Sequence, residues 1–259
     1  MTQNEVIIIF QIYRLDKKIL YFFIIIFWIV NSNYNLLGQS NLISNSGFEP
    51  TNLQAPIISQ ESYNFEKYIK GWSRSKSNHI VLAVSHEFYY KNTSQKALSD
   101  QTKNKGKCFI VIETLGLFSG DTTHRRRGYL ISKLLKSIAI GDSITVQFDI
   151  LMLQGSNHLS NGIEVYFCSE KNEFKKVMRG QMEPQIKNPN IIDHQDWETY
   201  TYTFIAKSKY KYVCIGKGSN DLISNYIPVK PEDETTWLAN RNNKRSMFAI
   251  DNFTVLNWN

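Results

Sequence analysis

"SITVQFDILM", residues 143–152, alternates: Ile144, Val146, Phe148, Ile150 and Met152 are apolar, and Ser143, Thr145, Gln147 and Asp149 stand between them as polar residues. Successive side chains of an extended strand point to opposite faces. A period of two therefore predicts an antiparallel strand with one face in a core and the other toward water. "WETYTYTFIA", residues 197–206, repeats the device, with Tyr200, Tyr202, Phe204 and Ala206 on one face and Thr199, Thr201 and Thr203 on the other.

Working outward, the same reading predicts strands in "NLISNSGF" (41–48), "KGWSR" (70–74), "HIVLAV" (79–84), "KCFIVIET" (107–114), "GYLISKLL" (128–135), "GIEVYFC" (162–168), "KYVCIGK" (211–217) and "MFAIDNFTV" (247–255). Turn-forming residues separate most of them: Asn45–Gly47, Asn104–Gly106, Gly141–Asp142, Asn161–Gly162 and Gly218–Asp221. About ten short strands with only isolated helical turns, near 60–70 and 170–180, predict an all-β fold, a two-sheet β-sandwich. Residues 85–105 and 219–245 read as long loops, which on a packed sandwich point to function.

The chain has 259 residues, of which 42% are hydrophobic and 13% aromatic, enough to bury a full core. In "DKKILYFFIIIFWIV" (16–30), Lys17 and Lys18 precede an unbroken apolar run from Ile19 to Val30. Polar "NSNYN" and "LLGQS" follow. This is the pattern of a secretory signal peptide, predicted to be a helix cleaved near Gly38–Ser40, with residues 1–16 an over-long start; the other reading is an uncleaved signal anchor, since "VIIIF" (6–10) adds apolar length, although Arg14, Asp16, Lys17 and Lys18 interrupt it. The run falls short of the roughly 20 residues that span a bilayer. The expected organisation is a signal peptide over 1–39 and one sandwich domain over 40–259, exported to the periplasm, outer membrane or extracellular space, with no stable membrane span after cleavage.

The formal net charge is +7, a balance that suits anionic polysaccharide, cell wall or membrane surface. Lys and Arg are scattered, however, and "HRRR" (124–127) is the one dense cluster. With so short a cluster and no stacking platform, a nucleic-acid partner is not expected. Three cysteines, Cys108, Cys168 and Cys214, lie in apolar strand-like runs and read as small buried hydrophobes. Cys168 and Cys214 can bridge only if their strands are neighbours.

Five stretches, "NLISNSGFE" (41–49), "GWSR" (71–74), "RGYLISKLLKSIAIGDSITVQFDI" (127–150), "DWETYTYTFIAKSKYKYVCIG" (196–216) and "FAIDNFTV" (248–255), resemble in that order the galactose-binding-like jelly-roll domains exported by Bacteroidetes. Those domains look like carbohydrate-binding modules. The resemblance covers nearly all of residues 40–257, although the partner domain that often follows is missing here. It implies a non-catalytic module binding glycan or cell-wall polysaccharide at the cell envelope. It also implies a structural calcium ion, with Glu49 and Asp251 at the matching positions.

The residues themselves add to this. In a jelly roll the first and last strands can run side by side, which would bring Glu49 to Asp251. Alternation fails at "IDNF", where Ile250 and Phe253 flank two polar residues, a phase break that predicts a β-bulge. Two close carboxylates repel unless a cation or hydrogen-bond donors lie between them. Calcium, with its six to eight oxygen ligands, is one occupant, and carbonyls near Gly106 and Lys107 would be further ligands. The other reading is that both carboxylates accept backbone N–H bonds at turns.

His79, His86, His124, His158 and His194 are dispersed without zinc-ligand spacing and read as surface or turn residues. No G-x-S-x-G elbow, Gly-rich phosphate loop or Cys-His dyad occurs. Asp149 and Glu164 lie on predicted strands, and their expected place is an outward polar face rather than a glycosidase pair. A sugar offers apolar C–H faces to aromatic rings and hydroxyls to polar side chains. The candidate ligand-binding residues are thus Tyr89, Tyr90, Phe118, His124, Arg127, Tyr226 and Trp237, in loops or at strand ends, with Trp72 and Trp197 assigned to the core. The rival readings are an envelope assembly protein that binds another protein, and a β-sandwich glycoside hydrolase or lyase.

Overall fold

The computed structural model describes residues 40–51, 57–58, 65–74, 81–85, 108–117, 128–153, 156–194, 196–217, 227–228 and 244–258. By contact the chain divides into Asn41–Asn257 and a second unit, Met1–Ser40 with Trp258–Asn259. The fold below is that of Asn41–Asn257. The signal-peptide reading and every loop candidate, Tyr89, Tyr90, Phe118, His124, Arg127, Tyr226 and Trp237, together with Lys107, fall outside the described residues.

The strands are β1 (Ser40–Asn41), β2 (Ile57–Ile58), β3 (Trp72–Arg74), β4 (Val81–Ser85), β5 (Cys108–Leu117), β6 (Tyr129–Ile138), β7 (Ser143–Met152), β8 (His158–Leu159), β9 (Glu164–Cys168), β10 (Ile186–Lys187), β11 (Glu198–Ile205), β12 (Tyr210–Gly216), β13 (Ile227–Pro228) and β14 (Lys244–Asn257). One sheet runs β11-β7-β14-β5-β4-β2, with β1 also on β14; the other runs β10-β9-β12-β6-β3; β13 and β8 form a small ribbon. The described registers are antiparallel, for example Tyr202 opposite Val146 and Cys214 opposite Tyr166.

The two larger sheets face each other across one core. Ile144, Val146, Phe148, Ile150, Phe248, Ile250, Phe253 and Val255 of the first meet Leu130, Leu134, Val165, Phe167, Val213 and Ile215 of the second. Each such fully buried side chain contributes about 2 kcal/mol of hydrophobic stabilisation. The chain crosses between sheets through short turns, from β6 to β7 at residues 139–142 and from β11 to β12 at residues 206–209. The two-sheet jelly-roll sandwich read from the sequence is therefore the architecture found.

Strand β11 keeps the expected alternation: Thr199, Thr201 and Thr203 are exposed, while Tyr200, Tyr202 and Phe204 pack half-buried against the core. It is an edge strand, so its outer face meets water. Strand β7 departs from the half-buried reading, because Thr145, Asp149 and Leu151 on its outer face are also buried. It is flanked on both sides by β11 and β14, and central strands are closed on both faces more readily than edges. "NLISNSGF" is also corrected: only Asn41 is strand, and Ser46 and Gly47 form a turn. Helical turns do occur at Phe65–Tyr68 and, after a 3-10 turn at Lys171–Glu173, at Phe174–Met178.

Candidate functional site

The opening motif and the last strand are tied together residue by residue. Leu42 N–H donates to Val255 O (2.8 Å) and Phe253 N–H donates to Ser46 O (2.8 Å). Asn45 closes the turn locally: its Oδ1 accepts from Glu49 N–H (2.9 Å), and its Nδ2 donates to Glu49 O (3.0 Å) and Lys70 O (3.2 Å). The Trp72 indole N–H donates to Asn45 O (2.7 Å). Beneath this turn, Phe48 packs on Trp72 with centroids 5.0 Å apart, and Trp72 meets Phe253 edge-on at 5.7 Å.

Gly71 belongs to the same knot. At φ +85° it takes a conformation that a β-carbon disfavours, and a Cβ there would stand 2.3 Å from Ser44 Oγ. Among the described non-glycine residues, the two with positive φ are Phe48 (52°) and Asn252 (50°), one on each side of the seam. Such backbone is held only where its surroundings over-determine it.

The bulge expected at "IDNF" is present, since the β14–β7 register shifts between Asp251 and Thr254. It lets Ile250 and Phe253 both enter the core and leaves Asp251 opposite Asp149. Asp251 is 0% exposed and its Oδ1 accepts from Asn252 N–H (2.7 Å). Asp149 accepts from Thr199 Oγ1 (2.5 Å) and from Asn252 Nδ2 (2.8 Å). Asn252 thus places a donor between two facing carboxylates, which relieves part of their repulsion.

Glu49 and Asp251 are brought together at Gly47. Glu49 Oε1 and Asp251 Oδ1 lie 3.9 and 4.0 Å from the point where a Cβ of residue 47 would stand. The absence of a side chain at Gly47 leaves a small cradle lined by two carboxylate oxygens. That donor set has the chemistry of a hard cation site. Among the described residues, no group of three or more His, Cys, Asp or Glu side chains is arranged to hold a metal, so the remaining ligands would have to be backbone carbonyls.

A second polar–aromatic cluster covers the outer face of the β9–β12–β6 sheet. The Tyr166 hydroxyl donates to Glu164 Oε2, the Tyr129 hydroxyl to Lys217 O, and Lys217 Nζ to Asn161 Oδ1. Burial, reinforced by the Glu164 carboxylate, pushes the Tyr166 hydroxyl far above its ordinary pKa. Gly216 makes the arrangement possible, because a Cβ there would stand 2.4 Å from Tyr129 Cδ1 and 2.7 Å from Gly128 O. Glu164 is 4% and Asp149 5% exposed, which corrects their reading as solvent-facing strand residues. Asp149 takes its hydrogen-bonding partners from the neighbouring strands β11 and β14, whereas Glu164 takes Tyr166 from two residues along its own strand.

Cys168 and Cys214 sit on neighbouring strands of this face as buried thiols that are not joined to each other, and Cys108 is buried as well. Burial raises Cys168 to about 12 and Cys214 well above its ordinary value. Both stay protonated at neutral pH, so neither is a ready nucleophile. His158 is buried, its Nδ1 beside Asn157 Oδ1 (2.8 Å), which corrects its placement as a surface residue. His194, in the irregular segment before β11, stacks on Tyr200. Trp72 and Trp197 are both in the interior, as expected.

No family model matches the chain, and no curated protein matches it. Solved structures do. A cyclase from Fischerella sp. TAU is 15% identical, with a TM-score of 0.42 over 82% of this chain and 94% of its own. The CBM22-1 xylan-binding domain of a Paenibacillus barcinonensis protein is 9% identical, at 0.39 over 85% and 96%. A cleaved adhesin domain of Lys-gingipain from Porphyromonas gingivalis is 12% identical, at 0.36 over 73% and 90%.

Proposed function

We propose that this chain is an exported, non-catalytic carbohydrate-binding module that acts at the cell envelope, with its sandwich closed by a calcium ion at the terminal seam. The observation that carries the reading is the joining of the opening and closing motifs, in the order the family resemblance implies, within a two-sheet jelly roll. The signal-like segment and the aromatic-rich loops support the export and the ligand class. Tyr89, Tyr90, Phe118, His124, Arg127, Tyr226 and Trp237 are the side chains assigned to the glycan.

Glu49 and Asp251 would hold the calcium ion, with Lys107 contributing its carbonyl. The ion supplies positive charge where two carboxylates converge beside a buried strand. Asn45 and Asn252 position the turns on either side. The glycan reading is tested by a glycan array followed by calorimetric titration of plant and cell-wall polysaccharides. Saturable binding to one polysaccharide class is expected, and titrations flat across both panels would refute it.

A further inference from the structure

Three large aliphatic side chains are exposed toward one end of the sandwich. The two turns that carry the chain between sheets lie side by side there: Gly141 N–H donates to Ala206 O (2.9 Å) and Ala206 N–H to Asp142 O (2.9 Å). On the first of these turns Ile140 is 72% exposed, and Ile205, the last residue of β11 and opposite Ser143, is 56% exposed. Just before them the β12–β6 register shifts between Tyr210 and Tyr212, so residues 134–137 bulge past a single β12 residue. The bulge projects Leu135, 66% exposed. These are the three most exposed large apolar side chains among the described residues of this unit.

Lys136, Lys207 and Lys209, within a few residues of these positions along the chain, are exposed, and among the described residues none of the three forms an ion pair. The acidic groups nearby are engaged elsewhere. Asp142 is buried, accepting from Ala139 N–H and Asn257 Nδ2 (2.8 Å each), and Glu170 pairs with Lys211 (3.1 Å). The chain also enters the fold at this end, where Asn41 Oδ1 accepts from Val255 N–H and Leu42 O from Leu135 N–H.

We infer that this end docks on an anionic lipid bilayer, with Ile140, Ile205 and Leu135 entering the boundary between headgroups and acyl chains, and the three lysines meeting lipid phosphates. Isolated aliphatic tips flanked by lysines match that boundary in both respects: they gain by leaving water, and the cations gain by nearing a negative surface. A sugar-binding face would instead need aromatic rings and hydrogen-bonding side chains. The inference stands apart from the glycan reading, and either can fail alone.

The test is vesicle flotation of the full chain with phosphatidylcholine alone and with phosphatidylcholine mixed with phosphatidylglycerol, at low and high salt. Any contribution of the apolar run at 19–30 is common to parent and variants. Partitioning should be stronger on the mixed vesicles and weaken with salt. It should drop about fivefold for each of Lys207→Gln and Lys209→Gln. Ile140→Ser with Ile205→Ser should lower it about tenfold on either salt. Circular dichroism melts show whether the isoleucine pair folds; should it fail to, the lysine variants alone decide. Equal flotation of parent and lysine variants overturns the inference. So does a parent that is dimeric in light scattering without lipid and is made monomeric by the isoleucine pair, which would show that the patch binds a second copy.

Discussion

Asn45→Ala should loosen the seam on which the sandwich closes. The side chain makes two part-buried hydrogen bonds to the backbone of Glu49 and one exposed bond to Lys70 O. A net contribution of about 1 kcal/mol for each part-buried bond and about half that for the exposed one gives about 2.5 kcal/mol. Rehydration of the released Glu49 groups offsets some of this, so the expected loss is about 1.5 to 2.5 kcal/mol. Urea unfolding reads it as a lower midpoint with an unchanged slope. Asn45→Asp keeps the acceptor for Glu49 N–H but removes both donors, so its loss should include the missing Lys70 bond and one Glu49 bond. A loss for Asn45→Ala under about 0.5 kcal/mol, within the range of ordinary surface substitutions, would refute the view that this asparagine fixes the turn.

Gly216→Ala should destabilise the protein by about 1 to 3 kcal/mol, since the added methyl meets the Tyr129 ring and the Gly128 carbonyl; a neutral result in thermal melts would show that the strand can shift. Chelation by EDTA should lower the melting temperature of the parent protein but not of Asp251→Asn, and a parent melt indifferent to chelator would dismiss the calcium proposal. Cys168 and Cys214 should resist iodoacetamide at neutral pH until denaturant is added, and rapid labelling of the native protein would contradict their burial. Because burial raises the Cys168 thiol from 9.0 to about 12, the folded state binds more protons than the unfolded state between those values. Its contribution to stability is thus complete below the lower value and is lost as pH rises through the upper one; unfolding midpoints that do not fall over that interval would contradict the shift.

Much of the fold was legible because alternation is a local property. Residues 143–152 and 198–205 carry in their own order the face that each side chain takes. The phase break at Ile250–Phe253 likewise announced its bulge, because two core residues cannot be three apart in an unbroken strand. The convergence of Glu49 with Asp251 was accessible through the resemblance, since a jelly roll places its ends together.

What the tertiary structure decided is everything that depends on which strands become neighbours. Asp149 is a polar member of an alternating strand, and nothing in its spacing says that Thr199 and Asn252 of the two flanking strands will enclose it. The pairing of the turns at 139–142 and 206–209, and with it the apolar patch of Ile140 and Ile205, exists only because two crossovers between the sheets fall at one end. The sequence determined the faces of the strands through the pleat of the backbone. Only folding determined the partners, because long-range pairing is chosen by the packing of the whole core and leaves no local periodicity to read.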